Sequence, residues 1–330
     1  MKYLSSAPSN IALIKYMGKD KAEINTPTNT SFSYTLDHLR TYVELEVLKN
    51  KESFWQPLKT SEFLTKEEIT SLNEIELNDK SQKRFLQHLE RMKNKWGIKK
   101  NFIVRSASNF PSDCGLASSA SSFAALTLTF YEYLKNKTDL DVQYQDLVNI
   151  SRAASGSSCR SFHSPWVSWN GESVEKMDFE NNELIHFSVV VDGEKKEVSS
   201  SEAHQRVKSS LLFDGRVKRA EKRFENLKLA LLNHDWKKAF DVTWAEFWDM
   251  HALFETSVPT FGYMNSNSVL VLQLVKDFWK IKKDGPLVTM DAGPNVHLLF
   301  RKDQEALAKE LLLKLKQNFQ VMDHFPGERQ

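Results

Sequence analysis

The sequence predicts an α+β fold in two domains, and three observations carry that prediction. At 330 residues the chain is about two domains long, taking roughly 150 residues for each. Strand-like and helix-like stretches mix irregularly along it instead of alternating as in a doubly wound parallel sheet. No self-similarity at a solenoid period appears. The polar run Glu180-Asn181-Asn182-Glu183 is the natural boundary, giving domains at 1–183 and 184–330.

Strands open the chain. Ile11 to Tyr16 is apolar apart from one lysine, and Thr41 to Leu48 alternates as a half-buried strand does. Between them Asn25-Thr26-Pro27-Thr28-Asn29-Thr30-Ser31 is hydroxyl-rich and holds a helix breaker, the composition of an ordered loop. Residues 65–97 form a helical insert: Thr65-x-x-Glu68 is a capping box, and Phe85, Leu86, Leu89, Met92 and Trp96 recur at helical spacing. A strand at Phe102 to Arg105 leads into a polar loop, then an apolar helix over Phe123 to Leu134. A helix over Asp146 to Ala154 ends in the small-residue turn Ser155 to Ser161. Trp166 and Trp169 read as core residues of a strand.

The second half starts with a buried strand at Ile185 to Val191. It continues helical from Arg216 to about Phe254 and again from Val269 to Lys283. Leu287 to Met290 and Val296 to Phe300 are strands around the loop Asp291-Ala292-Gly293-Pro294-Asn295. A helix over Gln304 to Gln317 and a strand near Phe319 close the chain.

Composition excludes several classes. The 45 Lys and Arg against 43 Asp and Glu leave a formal charge of +2, too weak a field to hold a polyanion such as DNA or RNA. Two cysteines, Cys114 and Cys159, cannot build a disulfide framework or a four-thiolate metal site, which fits a reducing compartment. The N-terminus lacks the apolar core of a signal peptide, and no stretch of about 18 apolar residues could span a bilayer. The expectation is a soluble, cytoplasmic protein.

Four segments carry chemistry. The stretch Asn109-Phe110-Pro111-Ser112-Asp113-Cys114-Gly115-Leu116-Ala117-Ser118-Ser119-Ala120 lies between a strand and a helix. It has neither a Walker lysine nor dinucleotide spacing. Helix N-terminal amides and serine hydroxyls there suit phosphate or Mg²⁺; they equally suit an ordinary capped helix start. Lys15 interrupts an apolar run, and a buried lysine needs an anionic partner, whereas a strand-end lysine is often simply solvated. Arg160, enclosed by serines, could grip a carboxylate or phosphate, or could form a structural salt bridge. Asp291 ends a strand where it can face a cleft, or can merely cap the turn.

Together these segments resemble the GHMP kinase superfamily and, within it, the mevalonate diphosphate decarboxylase family. The matching stretches are NIALIKYMGK (10–19), PTNTSFSYTL (27–36), NFPSDCGLASSAS (109–121), SGSSCRS (155–161), KKEVSSSEAHQR (195–206) and MDAGPN (290–295). The resemblance implies a GHMP kinase fold: a ribosomal protein S5 domain 2-like N-terminal domain and a GHMP C-terminal domain, with the active site between them. It implies ATP-dependent decarboxylation of mevalonate 5-diphosphate to isopentenyl diphosphate through phosphorylation of the 3-hydroxyl, with ATP and Mg²⁺ required. By that resemblance Asp291 is the catalytic aspartate, Lys15 keeps it ionised, and Arg160 grips the substrate carboxylate. Asn10, Tyr16, Lys19 and Ser200 line the substrate pocket. Ser106, Asn109, Gly115, Leu116, Ala117, Ser118 and Ser119 belong to the ATP site, with Ser118 the candidate Mg²⁺ ligand. Family members commonly form homodimers.

The chain departs from the family pattern at three places. Met17 stands for the usual tryptophan, Asp113-Cys114 for a small pair, and Ser201 for an arginine that meets the substrate diphosphate in many members. Loss of one charge-assisted pair costs roughly 1.5–3 kcal/mol, which keeps a mevalonate 5-phosphate decarboxylase in view. A mevalonate 3-kinase and, on fold alone, a non-catalytic binding module stay in view beside it. For Cys114 and Cys159, reactive thiols and small packed residues are the two readings.

Overall fold

The computed structural model describes residues 1–19, 24–49, 51–111, 118–180, 182–191 and 197–327. The first half builds one sheet with helices on it. In chain order it comprises β1 (Lys2–Ile14), β2 (Ser31–Leu48), β3 (Phe54–Pro57), α1 (Lys66–Ser71), β4 (Asn73–Glu74), α2 (Asp79–Lys95), β5 (Asn101–Ser108), α3 (Ser118–Lys137), α4 (Tyr144–Ala154), a 3₁₀ helix (Gly156–Phe162), β6 (Trp166–Asn170) and β7 (Ser173–Met177). The strands run β3-β5-β2-β6-β7, with β1 also paired to β2 and β4 to β5. All pairings are antiparallel except β3 with β5.

The second half forms a four-stranded antiparallel sheet and most of the longer helices. Its elements are β8 (Leu184–Val190), α5 (Ser200–Arg206), α6 (Arg216–Leu232), α7 (Trp236–Glu255), α8 (Ser266–Lys282), β9 (Leu287–Thr289), β10 (Val296–Arg301), α9 (Glu305–Lys316) and β11 (Gln320–His324), with strand order β11-β8-β10-β9. The mixture is α+β, as the sequence predicts. The capping box at Thr65 forms as expected: Glu68 N–H donates to Thr65 Oγ1 and Thr65 N–H donates to Glu68 Oε2.

Several elements differ from the sequence reading. β1 begins at Lys2 instead of Ile11, because Ser9 and Asn10 are buried in the ladder with β2 despite being polar. The stretch from Arg216 to Phe254 is two helices: His234 takes a left-handed φ of 55°, and the Asp235 carboxylate caps α7 by accepting from Lys238 N–H. The turn at 155–161 is the 3₁₀ helix. α3 starts at Ser118 and α4 at Tyr144. The short edge strands β3, β4 and β7 carry too little periodicity to stand out.

The alternation of strand side chains sorts the core. On β2, Val43 and Leu45 join a cluster with Phe102, Phe123 and Phe130 beneath the first-half helices. Phe32, Tyr34 and Leu36 face the other way, into a cluster with Phe187, Phe224 and Leu298 of the second half. On β6, Trp169 packs in the first cluster and Trp166 in the second. The two halves therefore share one core across their seam. A third cluster joins Met17 to Ala203, Met250, Phe254 and Ala292. Met17, at the family's tryptophan position, is thus a packing residue beside the loop that carries Asp291.

Candidate active site

Lys15 and Asp291 meet at the seam. Lys15 follows the end of β1, with its side chain only 3% exposed, and its Nζ lies 2.5 Å from Asp291 Oδ1. The buried ammonium thus has the anionic partner it requires. Asp291 stands just past β9, on a loop held by Gly293 N–H donating to Asp291 O (2.8 Å) and by Val191 N–H donating to Asn295 Oδ1 (3.0 Å). Its side chain is 29% exposed, so the side chain keeps a face open to solvent. Burial alone would raise the Asp291 pKa, but the Lys15 ammonium, helped by His297 and Arg160, holds it below the usual carboxylate range. Burial pulls the Lys15 pKa down, against the opposing pull of Asp291.

Arg160 sits on the 3₁₀ helix with 4% exposure. Its Nε and Nη2 donate to Asn10 Oδ1 (3.1 and 2.9 Å) and its Nη1 to Ser31 Oγ (2.8 Å). All of these acceptors are neutral, so the structural salt bridge does not form among the described residues. Asn10 is itself fixed, donating from Nδ2 to Ser161 Oγ (2.8 Å) and Ser157 O (3.2 Å). A buried cation held only by neutral acceptors, within electrostatic reach of Asp291, is suited to receive an anionic ligand group.

Tyr16 is wedged between Trp169 and His204, at ring-centroid distances of 4.8 and 4.4 Å. Burial raises its phenol pKa. His204 lies on α5, and its Nδ1 accepts from Gly18 N–H at 3.1 Å, so it ties the segment after Lys15 to the helix that begins with Ser200. Ser200 and Ser201 are exposed on that helix. Lys19 Nζ donates to Asn25 Oδ1 at 2.6 Å, and Asn25 Nδ2 reaches the backbone oxygens of Arg152 and Ala153 at the end of α4.

The nucleotide-site candidates fall into three groups. Ser118 and Ser119 open α3, and Ser119 Oγ lies 3.3 Å from Ser155 Oγ, which is 3.5 Å from Ser157 Oγ. Hydroxyls from two elements therefore gather at one helix start. Ser106 is 2% exposed, accepting from Trp55 Nε1 at 2.8 Å. The Asn109 amide is committed to β2 at both ends: Oδ1 accepts from Arg40 N–H (2.7 Å), and Nδ2 donates to His38 O (2.8 Å). Gly115, Leu116 and Ala117, with Asp113 and Cys114, lie outside the described residues. Cys159 is fully buried, its Sγ donating to Gly156 O, and burial pushes its thiol up to about 12. It is a packed residue, not a reactive one.

Comparison with known proteins places the chain. Residues 7–179 match the diphosphomevalonate decarboxylase-like N-terminal domain, and residues 186–329 match the mevalonate 5-diphosphate decarboxylase C-terminal domain. The chain belongs to the diphosphomevalonate decarboxylase family. The diphosphomevalonate decarboxylase of Schizosaccharomyces pombe is 32% identical over 95% of this chain and 82% of its own length. The crystal structure of a mevalonate diphosphate decarboxylase from Legionella pneumophila shares 42% identity, covers 98% of this chain and 100% of its own, and superposes with a TM-score of 0.89. MDDEF, solved in complex with MVAPP, AMPPCP and magnesium, shares 28% identity over 98% of this chain and 96% of its own, with a TM-score of 0.84.

Some residues around the Lys15–Asp291 pair leave no mark in the sequence pattern. Arg216 and Glu246 grip the Lys15 backbone although they lie 201 and 231 positions from it. His251, 2% exposed, stands within electrostatic reach of Lys15 and Asp291, and burial lowers its pKa to about 3. Helical periodicity marks such residues only as core positions. Asn29 does lie in a motif: its Nδ2 donates to Lys15 O at 3.1 Å.

Proposed function

We propose that the cleft at this seam performs the ATP-dependent decarboxylation of mevalonate 5-diphosphate, giving isopentenyl diphosphate, ADP, phosphate and CO₂. The observation that carries the residue assignment is the Lys15–Asp291 pair at 2.5 Å beside an arginine that, among the described residues, is hydrogen-bonded to neutral groups only. Asp291 orients the substrate 3-hydroxyl and accepts its proton as that oxygen bonds to the γ-phosphorus of ATP and the bond to ADP breaks. The Lys15 ammonium keeps the aspartate ionised and ready. Arg160, aimed by Asn10, holds the substrate carboxylate. The electrons of the bond to that carboxylate then form the alkene as the new phosphate leaves, so no free carbanion is needed. Tyr16, Lys19 and Ser200 line the rest of the substrate pocket.

ATP is assigned to Ser118, Ser119, Gly115, Leu116 and Ala117, with Ser106 and Asn109 supporting the nearby strand end. Magnesium fits the donor set. No cluster of three His, Cys, Asp or Glu suited to a resident metal exists among the described residues, whereas the hydroxyls of Ser118, Ser119, Ser155 and Ser157 suit an ion that arrives on phosphate oxygens. When bound, Mg²⁺ neutralises phosphate charge, and Ser118 is its assigned protein ligand. No helix among the described residues is long and apolar enough to cross a membrane. A cytoplasmic homodimer with domains at 1–183 and 184–330 completes the proposal.

The test measures ADP, phosphate and CO₂ released with Mg-ATP and, separately, mevalonate 5-diphosphate, the 5-monophosphate and free mevalonate. Equal yields of the three products with the diphosphate alone are expected. Preference for the monophosphate would make Ser201 a specificity determinant, and ADP without CO₂ would mean a kinase; either result overturns the substrate or the reaction. Asp291→Asn should abolish turnover while ATP binding survives, and near-normal activity would remove Asp291 from the mechanism.

A further inference from the structure

We infer that the buried Arg216–Glu246 pair is a positioning device for Lys15, gripping its main chain so that its ammonium meets Asp291. The inference rests on the roles proposed above for Lys15 and Asp291. The β1–β2 ladder ends at the Ile14–Phe32 pairing, so the next residue's backbone groups need other partners. Lys15 N–H donates to Glu246 Oε1 at 3.0 Å. Lys15 O accepts from Arg216 Nη2 at 2.9 Å and from Asn29 Nδ2 at 3.1 Å. Glu246 and Arg216 close the clamp on each other through two contacts, Nη2 to Oε1 and Nη1 to Oε2.

The cost of the arrangement argues for a purpose. Both side chains of the pair are 0% exposed, and a buried ion pair is no more stabilising than well-packed apolar residues of similar volume. The pair is further braced where α6 meets α7. Asp249 accepts from Arg216 Nη1 (2.8 Å) and Arg223 Nη1 (2.7 Å), and Arg219 Nη2 reaches its other oxygen at 3.0 Å. The clamp therefore rests on two long helices and acts across the seam on the other half of the chain. Glu246 has a second effect, because its charge favours the Lys15 ammonium. The groups facing that ammonium are Asp291, Arg160, His251, His297 and Glu246. Burial lowers the two histidines to about 3 and about 4, so they stay neutral across an ordinary assay range.

Glu246→Gln removes the charge while its amide oxygen can still accept from Lys15 N–H; its N–H₂ then faces the Arg216 and Arg223 donors that Oε2 accepted from, so the melting temperature is read beside the kinetics. The variant should lower kcat at least tenfold with KM for both substrates within about twofold. The alkaline limb of the kcat–pH profile should move to lower pH, as the ammonium has lost a neighbouring anion. A purely structural residue would lower the melting temperature without moving that limb. If Glu246→Gln does not fold, Arg223→Gln, which removes a 20%-exposed brace from Glu246, should lower kcat by a smaller factor and move the limb the opposite way, to higher pH, because it removes a cation where Glu246→Gln removes an anion. Unchanged kcat and an unmoved limb in whichever variant folds would overturn the inference. Asp291→Asn, run in parallel, separates the two failures. If it turns over normally, the proposed roles fall; if it is inactive while the clamp variant behaves as wild type, only the clamp falls.

Discussion

Gly156→Ala tests whether the Tyr16 wedge is as rigid as the structure makes it. Gly156 has no positive φ, so alanine brings no backbone strain, and its effect is steric. A Cβ there would stand 2.6 Å from the Tyr16 hydroxyl and 3.1 Å from both Tyr16 Cζ and Trp169 Cη2. The nearest approach is about 0.8 Å inside ordinary contact near 3.4 Å. A free phenol would swing away at little cost, but Trp169 and His204 close on the Tyr16 ring, and His204 is pinned through Gly18. The relief must then come from core rearrangement, for which one forced methyl costs typically about 1–3 kcal/mol. Chemical denaturation of wild type, Gly156→Ala, Tyr16→Phe and the double variant reads the cost as a cycle. Removing the hydroxyl removes the worst contact, so the alanine penalty should shrink by about 1 kcal/mol or more in the Tyr16→Phe background. An alanine penalty of equal size in both backgrounds, or none in either, would show that Tyr16 is free to move and would refute the reasoning.

Asn10→Asp should turn one neutral acceptor of Arg160 into an ion-pair partner; its second oxygen then faces Ser157 O in place of an N–H donor, so stability should fall, while KM for the acidic substrate rises tenfold or more because the guanidinium is already occupied. A steady-state comparison of KM for substrate and for ATP checks it, and equal KM values for wild type and variant would remove Arg160 as the carboxylate grip. His88, 1% exposed and hydrogen-bonded to Thr127 Oγ1 at 2.8 Å, has its pKa lowered to about 3 by burial. The unfolded chain therefore binds the extra proton first, and stability falls as pH drops from about 6.5 toward 3, at up to about 1.4 kcal/mol per pH unit. His88→Gln should flatten the acid limb of the stability–pH curve by about one proton, and an unchanged slope would show that the imidazole is already charged in the fold.

How much of the molecule is legible in its sequence depends on whether a constraint is local. Thr65 and Glu68 cap a helix three residues apart, and the alternation in β2 and the apolar runs of β8 and β10 record burial directly. β1 is only half visible, since it is buried along most of its length and Asn10 finds its side-chain partners far along the chain, at Ser157 and Ser161. At the site, Lys15, Arg160 and Asp291 stand out as charged residues among small or apolar ones, and the family motifs supply their roles. Arg216 does not, because it opens a helix rich in Lys, Arg and Glu, where a buried charge and a solvated one read alike; Glu246 does not, because helical spacing places it on a core face without naming the partner 231 positions away. Asn109 shows the converse: it lies within a family motif, yet its amide commits its hydrogen bonds to the β2 backbone.

The seam explains why the paired charges can sit there at all. Lys15 and Asp291 are 276 positions apart, on the two halves of the chain, and a hinge between the halves would break the pair whenever it opened. The structure stitches that line instead. Thr289 Oγ1 donates to Ala12 O at 2.8 Å, joining β9 to β1, while Glu246 and Arg216 hold the Lys15 backbone and the shared core runs beneath. A carboxylate whose counter-ion is built in and held by its own clamped backbone, as Asp291 is by Lys15, needs no reorganisation in the role proposed for it, which is the condition under which fixed charges act most strongly on a reaction. The same stitching confines any closure over substrate to elements away from the Lys15–Asp291 line, and the separation of these two groups should stay constant through turnover.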